Sequence, residues 1–401
     1  MIPVEDVLEA LDLSRAEPGA GFLEALFARF NAKVPFENAT KIVRDREIAD
    51  PREKPRDPET FWRGHLALGT GGTCFARVVA FQWLLDAVGF RSRRLLGRVA
   101  RDDDHAALMV ETPAGERIAD VGFPLPVPLP VRAGVHATEQ GELEVTETAR
   151  GLRVRYREGV PEGPRELEIF SGPVDAERFE SVWRDTYRPG SRFLLEVCVR
   201  RDLGHRVVSY AAGEIRVDDR HSRLRVPLPA ARPEAALSEL FALDAEVLAR
   251  AFAAAGRPRP AAEAASLAAY LEASAPPADA FSAIATLEGY QRLLGGVAET
   301  RGEALPGGFR VTLAAPGSDG GSFEDEVAVD RSALRVSVRR RGSSGAPFES
   351  SYRAIARNGS TYLVREAALP GRGEELLRND SLRGRLAGTL AVDLLAWTRM
   401  L

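Results

Sequence analysis

A cysteine, a histidine and an aspartate follow one another along the first third of the chain in an order that suits nucleophilic catalysis. Cys74 comes directly after Gly71-Gly72-Thr73 and opens a stretch with helical apolar spacing, so we expect it in the first turn of a buried helix. The N–H groups and the dipole at a helix N-terminus favour the thiolate, which is the attacking form of cysteine. The chain has only two cysteines and five histidines, and chance is therefore a poor explanation of this order.

His105 and Asp120 flank a predicted β-hairpin. His105 opens the apolar run Ala106–Val110, a turn signal follows, and Arg117–Val121 is interpreted as the returning strand. In an antiparallel pair of this kind, the two side chains meet at the same end of the hairpin. Asp120 would then hold one imidazole nitrogen while the other takes a proton from Cys74. The alternative for Cys74 is a buried structural thiol, because free cysteine is often buried.

Several segments resemble the arylamine N-acetyltransferase family. They are Val34-Pro35-Phe36-Glu37-Asn38, Gly71-Gly72-Thr73-Cys74-Phe75, residues 84–90, Leu96-Gly97-Arg98-Val99, His105 and Asp120-Val121-Gly122-Phe123. The resemblance implies a papain-like acyltransferase that acetylates small-molecule amines from acetyl-CoA, or another acyl-CoA, by a ping-pong route. By this match the nucleophile is Cys74, the base His105 and the carboxylate Asp120.

The same resemblance implies substrate and oxyanion contacts at five further positions. These are Phe36, Gly71, Gly72, Thr73 and Phe123. Paired glycines would let a substrate carbonyl come close, with backbone amides near Cys74 stabilising the oxyanion. The alternative is that Gly71 and Gly72 only form a tight turn.

The sequence departs from the family around the nucleophile. Thr70, Thr73 and Ala76 stand where the family usually has an arginine, an aromatic residue and an acidic residue. These changes leave open a CoA-independent amide synthase or a cysteine hydrolase. They also leave open a catalytically inactive scaffold whose C-terminal domain binds an apolar ligand.

The bulk composition is that of a globular protein without a nucleic-acid footprint. The 401 residues are 45% apolar and 28% charged, with a formal net charge of −4, and acids and bases are interspersed. We predict no membrane span and a cytoplasmic location, because the N-terminus lacks a signal-peptide pattern and the two cysteines form no disulfide framework. The run Asp102-Asp103-Asp104 beside one histidine is weak evidence for a metal, so no metal site is predicted.

The fold class expected is α+β in two domains. Residues 1–255 are predicted to have a papain-like N-acetyltransferase architecture, consisting of a helical unit, a β-barrel unit and a helical/β lid. Within them, Leu194–Val199 is predicted to be a strand that contains Cys198, and Pro233–Ala255 a final helical piece. Residues 256–262, which include Gly256-Arg257-Pro258-Arg259-Pro260, form a stiff linker.

The remaining residues, 263–401, resemble START-like helix-grip proteins in the order of their predicted elements. A strand at Ala265–Ala273 precedes two short helices, five or six antiparallel strands and a long terminal helix capped by Asp380. Proteins of this fold commonly enclose an apolar cavity between the sheet and the terminal helix, so an apolar ligand is one expectation. The alternative is a stabilising domain whose cavity is filled by side chains.

Overall fold

The N-terminal segment is helical in the computed structural model. The structure describes residues 2–123, 125–156, 166–172, 174–228, 233–256, 264–294, 299–314, 322–342, 348–357 and 359–401. The contacts between residues divide the chain into two compact units. The first is Met1–Arg220 with Leu228–Ala261, and the second is His221–Pro227 with Ala262–Leu401. The strand within 221–227 thus groups with the second unit, whereas the sequence interpretation placed it in the first. Of the predicted linker 256–262, only Gly256 lies within the described residues.

The helices of the first unit are α1 (Val4–Ala10), α2 (Ala20–Lys33), α3 (Ala39–Glu47), α4 (Pro58–Leu68), α5 (Cys74–Ala87), α6 (Ala176–Asp185), α7 (Pro233–Phe241) and α8 (Ala245–Ala255). Capping side chains and glycines near the helix ends determine where these helices begin and end. The Asp57 side chain caps α4 by accepting the Thr60 N–H at 2.7 Å, and the helix ends at Gly69, whose φ of 63° suits glycine. Aromatic side chains fill the space between α2, α4 and α5, where the Phe30 ring centroid lies 4.9 Å from that of Phe81 and 5.8 Å from that of Trp62.

The strands of the first unit are β1 (Phe36–Glu37), β2 (Ser92–Arg98), β3 (His105–Val110), β4 (Arg117–Ala119), β5 (Leu129–Pro130), β6 (Gly134–Thr138), β7 (Gly141–Thr148), β8 (Gly151–Tyr156), β9 (Glu166–Phe170), β10 (Val199–Asp202), β11 (Arg206–Ala211) and β12 (Glu214–Asp219). An antiparallel sheet with the order β5-β4-β3-β2-β9-β8-β7-β6 occupies the segment predicted to be a barrel. A second group has the order β1-β10-β11-β12 and brings the short strand β1 beside β10.

Two predictions for this unit are wrong in detail. Residues 194–198 are not a strand: a 3-10 helix spans Arg192–Leu194, and β10 begins only at Val199. This segment follows Asn38, whose side chain accepts the Cys198 N–H at 2.7 Å and donates to the Glu196 carbonyl at the same distance. The helical piece 233–255 is broken into α7 and α8, because Ala242 has a φ of 53° and Asp244 caps a new helix.

The second unit comprises β13 (Ser222–Pro227), β14 (Ala265–Ala273), α9 (Pro277–Ile284), α10 (Leu287–Leu294), β15 (Glu299–Leu305), β16 (Gly308–Ala314), β17 (Ser322–Asp330), β18 (Arg335–Gly342), β19 (Phe348–Arg357), β20 (Ser360–Leu369), α11 (Gly373–Arg378) and α12 (Asp380–Thr398). Its antiparallel sheet has the order β13-β14-β20-β19-β18-β17-β16-β15. The order of strand, two helices, strands and long helix agrees with the sequence interpretation. The cap of α12 is a correction: Asn379, not Asp380, accepts the Leu382 N–H, at 2.9 Å.

Aromatic side chains pack between this sheet and the helices α10 and α12, and a buried aspartate lies beside them. Tyr352 lies 5.9 Å from Trp397 and 6.2 Å from Tyr290, measured between ring centroids. Asp325, which is fully buried, pairs with Arg340 at 2.7 Å. These contacts favour an interior filled by side chains, while the helix-grip resemblance and its apolar ligand stay predictions. No helix among the described residues is long and apolar enough to cross a membrane.

Candidate active site

Cys74 is the first residue of α5, as the sequence predicts. Its side chain is buried, and the next residue, Phe75, packs against Phe179 of α6 with ring centroids 5.3 Å apart. The helix ends before Gly89, which has a φ of 96° and donates its N–H to the Asp86 carbonyl at 3.1 Å. Because Cys74 is at the N-terminus of α5, its thiolate faces the positive end of the helix dipole.

The hairpin β3–β4 brings His105 and Asp120 together. The register pairs Leu108 with Ala119, so Asp120 lies just beyond the end of β4 and close to the start of β3. His105 Nε2 is 2.6 Å from Asp120 Oδ2, and both side chains are buried. The other carboxylate oxygen of Asp120 accepts the N–H groups of Gly122 and Phe123, each at 2.9 Å. The carboxylate is therefore fixed from both sides.

The pKa of His105 is raised to about 10 by its surroundings. Burial alone would lower it, but the charge and hydrogen bond of Asp120, together with a hydrogen bond and charge from the Cys74 side chain, outweigh the desolvation. His105 therefore contacts both other members of the predicted triad. Because Asp120 engages Nε2, Nδ1 is the nitrogen left for the thiol.

Gly122 closes the third side of this cluster. A Cβ at this position would lie 2.4 Å from Cys74 Cβ, 2.8 Å from Cys74 Cα and 3.1 Å from His105 Cε1. Such contacts are shorter than side chains allow, so a residue other than glycine would push the cysteine and the histidine apart. The close approach explains why a glycine follows Asp120-Val121.

The paired glycines are needed for packing rather than for their amide donors. A Cβ on Gly71 would lie 1.7 Å from the Pro35 carbonyl oxygen, and Phe36 forms a parallel bridge with Gly72. The Gly71 N–H is donated to Glu37 Oε1 at 3.2 Å, and the Gly72 N–H to the Pro35 carbonyl at 3.4 Å. Both amides are thus engaged within the protein, and the expectation that they bind a substrate oxyanion does not fit these hydrogen bonds.

The other expected substrate contacts lie near the triad. Phe123 is buried, and its ring centroid is 6.2 Å from that of His105. Its N–H, however, is donated to Asp120. Phe36 is partly exposed and packs at 5.5 Å from the Phe193 ring. Thr73 is buried and directly precedes α5, without a capping bond from its side chain.

Arg77 is a positioning residue that the sequence interpretation missed. Its buried guanidinium donates to the Val121 carbonyl at 2.5 Å, to Asn31 Oδ1 at 2.6 Å and to the Val34 carbonyl. It thereby joins α2, the segment before β1 and the loop after Asp120 to the helix that carries Cys74. The only signal in the sequence is a charged residue within the apolar stripe of α5.

Arg56 is the second missed residue. It is buried and donates from Nη2 to the Gly71 carbonyl, and a Cβ on Gly72 would lie 2.8 Å from the same nitrogen. The arginine that the resemblance leads one to expect before the glycines is replaced by Thr70, but a guanidinium from the loop before α4 lies beside them. No local pattern in the sequence distinguishes Arg56 from a surface arginine.

The acidic run before His105 builds a loop. Asp104 accepts the N–H groups of Val99, Ala100 and Arg101 at 2.8, 3.0 and 3.0 Å, which fixes the turn that leads into β3. Asp102 pairs with Arg150 at 2.9 Å, and Asp103 pairs with Arg178. Within the described ranges, no group of three or more histidine, cysteine or acidic residues could hold a metal ion.

Comparison with known proteins agrees with this geometry. Residues 21–163 match the family model described as N-acetyltransferase. The matched residues all lie within the first unit. The arylamine N-acetyltransferase of Escherichia coli K12 is 34% identical over 108 residues, which are 25% of this chain and 36% of the relative. The chain thus spans about a third of the length of this relative.

Solved structures show the fold of the first unit. The arylamine N-acetyltransferase of Mycobacterium smegmatis is similar with a TM-score of 0.55 and 22% identity, over 64% of this chain and 100% of that one. The Mycobacterium marinum arylamine N-acetyltransferase in complex with CoA is similar with a TM-score of 0.53 and 17% identity, over 63% of this chain and 99% of that one. Together the comparisons show similarity to arylamine N-acetyltransferases in part of the sequence and in the fold of the first unit.

Proposed function

We propose that this protein transfers an acyl group from an acyl-CoA, such as acetyl-CoA, to a small-molecule amine through an acyl-enzyme on Cys74. The observation that carries the proposal is the buried cluster in which His105 Nε2 lies 2.6 Å from Asp120 Oδ2 and a Cβ on Gly122 would touch both Cys74 and His105. Nucleophile, base and orienting carboxylate in mutual hydrogen-bond reach are the requirement for this chemistry. The similarity to arylamine N-acetyltransferases, one of them solved with CoA, supports the donor.

In the first half-reaction the Cys74 thiolate attacks the thioester carbonyl carbon. The C–S bond to CoA then breaks, and the departing CoA thiolate takes the proton of the His105 imidazolium. Asp120 keeps the imidazole oriented and stabilises its charged form. The raised pKa of His105 means that the imidazolium is available at neutral pH.

In the second half-reaction the amine nitrogen attacks the acyl-Cys74 carbonyl. His105, now neutral, takes the proton from the amine, and the Cys74 thiolate leaves to restore the starting state. The amide N–H of Cys74 is the candidate donor for the oxyanion, because it lies at the helix N-terminus and donates to no acceptor among the described residues. The amides of Gly71, Gly72 and Phe123 are engaged elsewhere.

The test is intact-mass spectrometry after brief incubation with acetyl-CoA and longer acyl-CoAs. We expect a mass gain of one acyl group, its absence in Cys74→Ser and its retention in Cys198→Ser. The second cysteine is a matched control, because burial raises the pKa of Cys198 to about 12 and keeps it protonated. Labelling that survives Cys74→Ser would refute the acyl-Cys74 intermediate. No labelling by any thioester would favour a CoA-independent amide synthase, a cysteine hydrolase or an inactive scaffold.

A further inference from the structure

Lys41 is a buried ammonium group on α3, beside the candidate site. Only 5% of the residue is exposed, and its Nζ donates to Thr186 Oγ1 at 2.6 Å. The Thr186 hydroxyl gives its own proton to the Trp183 carbonyl, at 2.7 Å, and so acts as the acceptor for Lys41. Nζ also lies 4.6 Å from the centre of the Tyr187 ring, which attracts a cation through its π face.

The elements around Lys41 are those that hold Cys74. The strand β1 immediately before α3 bridges to Gly72, and Glu37 accepts the Gly71 N–H. The end of α6 supplies Thr186 and Tyr187, and the same helix packs Trp183 at 6.4 Å from Phe75. Burial lowers the pKa of Lys41 to about 8, while the charges of the Cys74 thiolate and of Asp45 act in the opposite direction. Lys41 and the turn before Cys74 are therefore held by the same elements.

No carboxylate of the described chain pairs with Lys41. Asp45, one helical turn away, pairs with Lys54 at 2.7 Å. Glu37 is used by Thr40, whose N–H and hydroxyl it accepts at 2.9 and 2.6 Å, and by Gly71. An ammonium has three N–H donors, and the described contacts satisfy one of them. Burying a cation without an anion is costly, and such groups concentrate at functional sites.

We propose that Lys41 is the counter-ion for a carboxylate carried by the substrate, so that the enzyme prefers an amine acceptor or an acyl group that bears one. The proposal rests on the acyl transfer proposed above. A substrate carboxylate would occupy the two free donors of Lys41 and replace the missing anion. A carboxylate on the amine and a carboxylate on the acyl group present the same chemistry to Nζ, and kinetics separates them.

The experiment compares charged and neutral substrates in pairs. The acceptor pair is 4-aminobenzoate and 4-aminobenzamide, with acetyl-CoA as donor. The donor pair is succinyl-CoA and butyryl-CoA, with 4-aminobenzamide as acceptor. We expect the ratio of kcat/KM for the charged member to that for the neutral member to exceed one in at least one pair. In Lys41→Met that ratio falls by about tenfold or more, as loss of a charge-assisted hydrogen bond requires.

Two further variants separate binding from structure. Lys41→Arg keeps the charge and retains most of the preference. Lys54→Met is the matched control, because Lys54 faces the same Tyr187 ring at 5.9 Å but already pairs with Asp45. In Lys54→Met the ratio of kcat/KM for the charged and the neutral substrate stays within about threefold of that of the unsubstituted enzyme, as expected for loss of a half-buried ion pair. Lys41→Met remains folded by circular dichroism, because an apolar side chain costs less to bury than an unpaired ammonium.

A binding readout keeps this proposal separate from the acyl transfer itself. Benzoate, but not benzamide, protects Cys74 from alkylation by iodoacetamide, and Lys41→Met removes the protection. We expect this protection even if no thioester acylates the enzyme. A lack of acylation would contradict the proposed function but not the role of Lys41. An unchanged ratio in Lys41→Met together with unchanged protection would overturn the role of Lys41. An equal loss for charged and neutral substrates would likewise overturn it and assign Lys41 to stabilising the thiolate.

Discussion

The charge of His105 depends on Asp120, and this dependence should appear in the way the stability of the protein changes with pH. The folded pKa of His105, about 10, is above the ordinary value of 6.5. The stabilisation from this pair is therefore fully present below about pH 6.5 and is lost as the pH rises through about 10. Outside the pH range in which the imidazole changes its charge, the pair does not affect how the free energy of unfolding changes with pH.

Asp120→Asn should remove this pH dependence and impair catalysis. We expect the difference in free energy of unfolding between the original protein and the variant to shrink between pH 6.5 and 10. The acylation rate should fall by about 10²–10⁴-fold, the usual contribution of acid–base catalysis. Urea unfolding at several pH values and single-turnover acylation measure the two effects. A stability difference that is constant with pH would contradict the assignment of the raised pKa to Asp120.

Gly122→Ala should separate the nucleophile from its base. The added Cβ would lie 2.4 Å from Cys74 Cβ, and backbone atoms must move to relieve the contact. We expect slower alkylation of Cys74 by iodoacetamide at neutral pH and a stability loss of about 1–3 kcal/mol. Gly21→Ala in α2 is the control, because nothing lies within 4 Å of its added Cβ and its backbone is helical. Unchanged alkylation in Gly122→Ala would show that the loop gives way without disturbing the pair.

At the scale of elements, the N-terminus of α5 is held by Arg77. This one guanidinium bonds to α2, to the segment before β1 and to the loop after β4. The geometry of the candidate site therefore depends on three elements that are distant in sequence. The single buried side chain of Arg77 connects them through its hydrogen bonds.

Arg77→Met should destabilise the first unit strongly. The substitution leaves three buried acceptors without a donor, at about 1–3 kcal/mol each, so we expect a loss of at least about 3 kcal/mol. Arg63→Met, on the exposed surface of α4 and paired with Glu59, should change stability by less than about 1 kcal/mol. Denaturant unfolding measures both. A loss in Arg77→Met no larger than that in Arg63→Met would remove Arg77 from this role.

At the scale of the whole molecule, each unit has its own core. In the second unit Trp397 is fully buried, donates from Nε1 to the Ala280 carbonyl at 2.8 Å and packs on Tyr352. The neighbours described above for Cys74, namely His105 and Gly122, belong to the first unit. Damage to the core of the second unit should therefore leave the chemistry of the thiol in place.

Trp397→Ala tests this separation. We expect a loss of about 3–5 kcal/mol in the second unit, because a large aromatic side chain and its hydrogen bond are removed. Hydrogen exchange followed by mass spectrometry should show faster exchange in β14 and β20 and unchanged exchange in α5. The alkylation rate of Cys74 should also be unchanged. Equally faster exchange in α5 would mean that the two cores unfold as one.

The sequence by itself predicts the elements whose patterns are local. Alternation and helical spacing predict the strand Ala265–Ala273, the strands β16 to β20 and the helix that begins at Cys74, whereas β13 and β15 are not predicted. The pattern fails at two places in the first unit. Asn38, far away in the sequence, holds residues 196–198 out of a strand. A positive φ at Ala242, inside the predicted helix, divides that helix into two.

The candidate triad could likewise be predicted from residue types and order, because a hairpin brings its two ends together whatever surrounds it. Only the tertiary structure decided what supports it. Arg56 and Arg77 reach the site from positions that look ordinary in sequence, and Lys41 becomes a buried cation only through packing by α6. It also decided that the amides of Gly71 and Gly72 are engaged by Glu37 and Pro35. Burial and hydrogen-bond partners depend on segments far apart in the chain, and for that reason local patterns do not contain them.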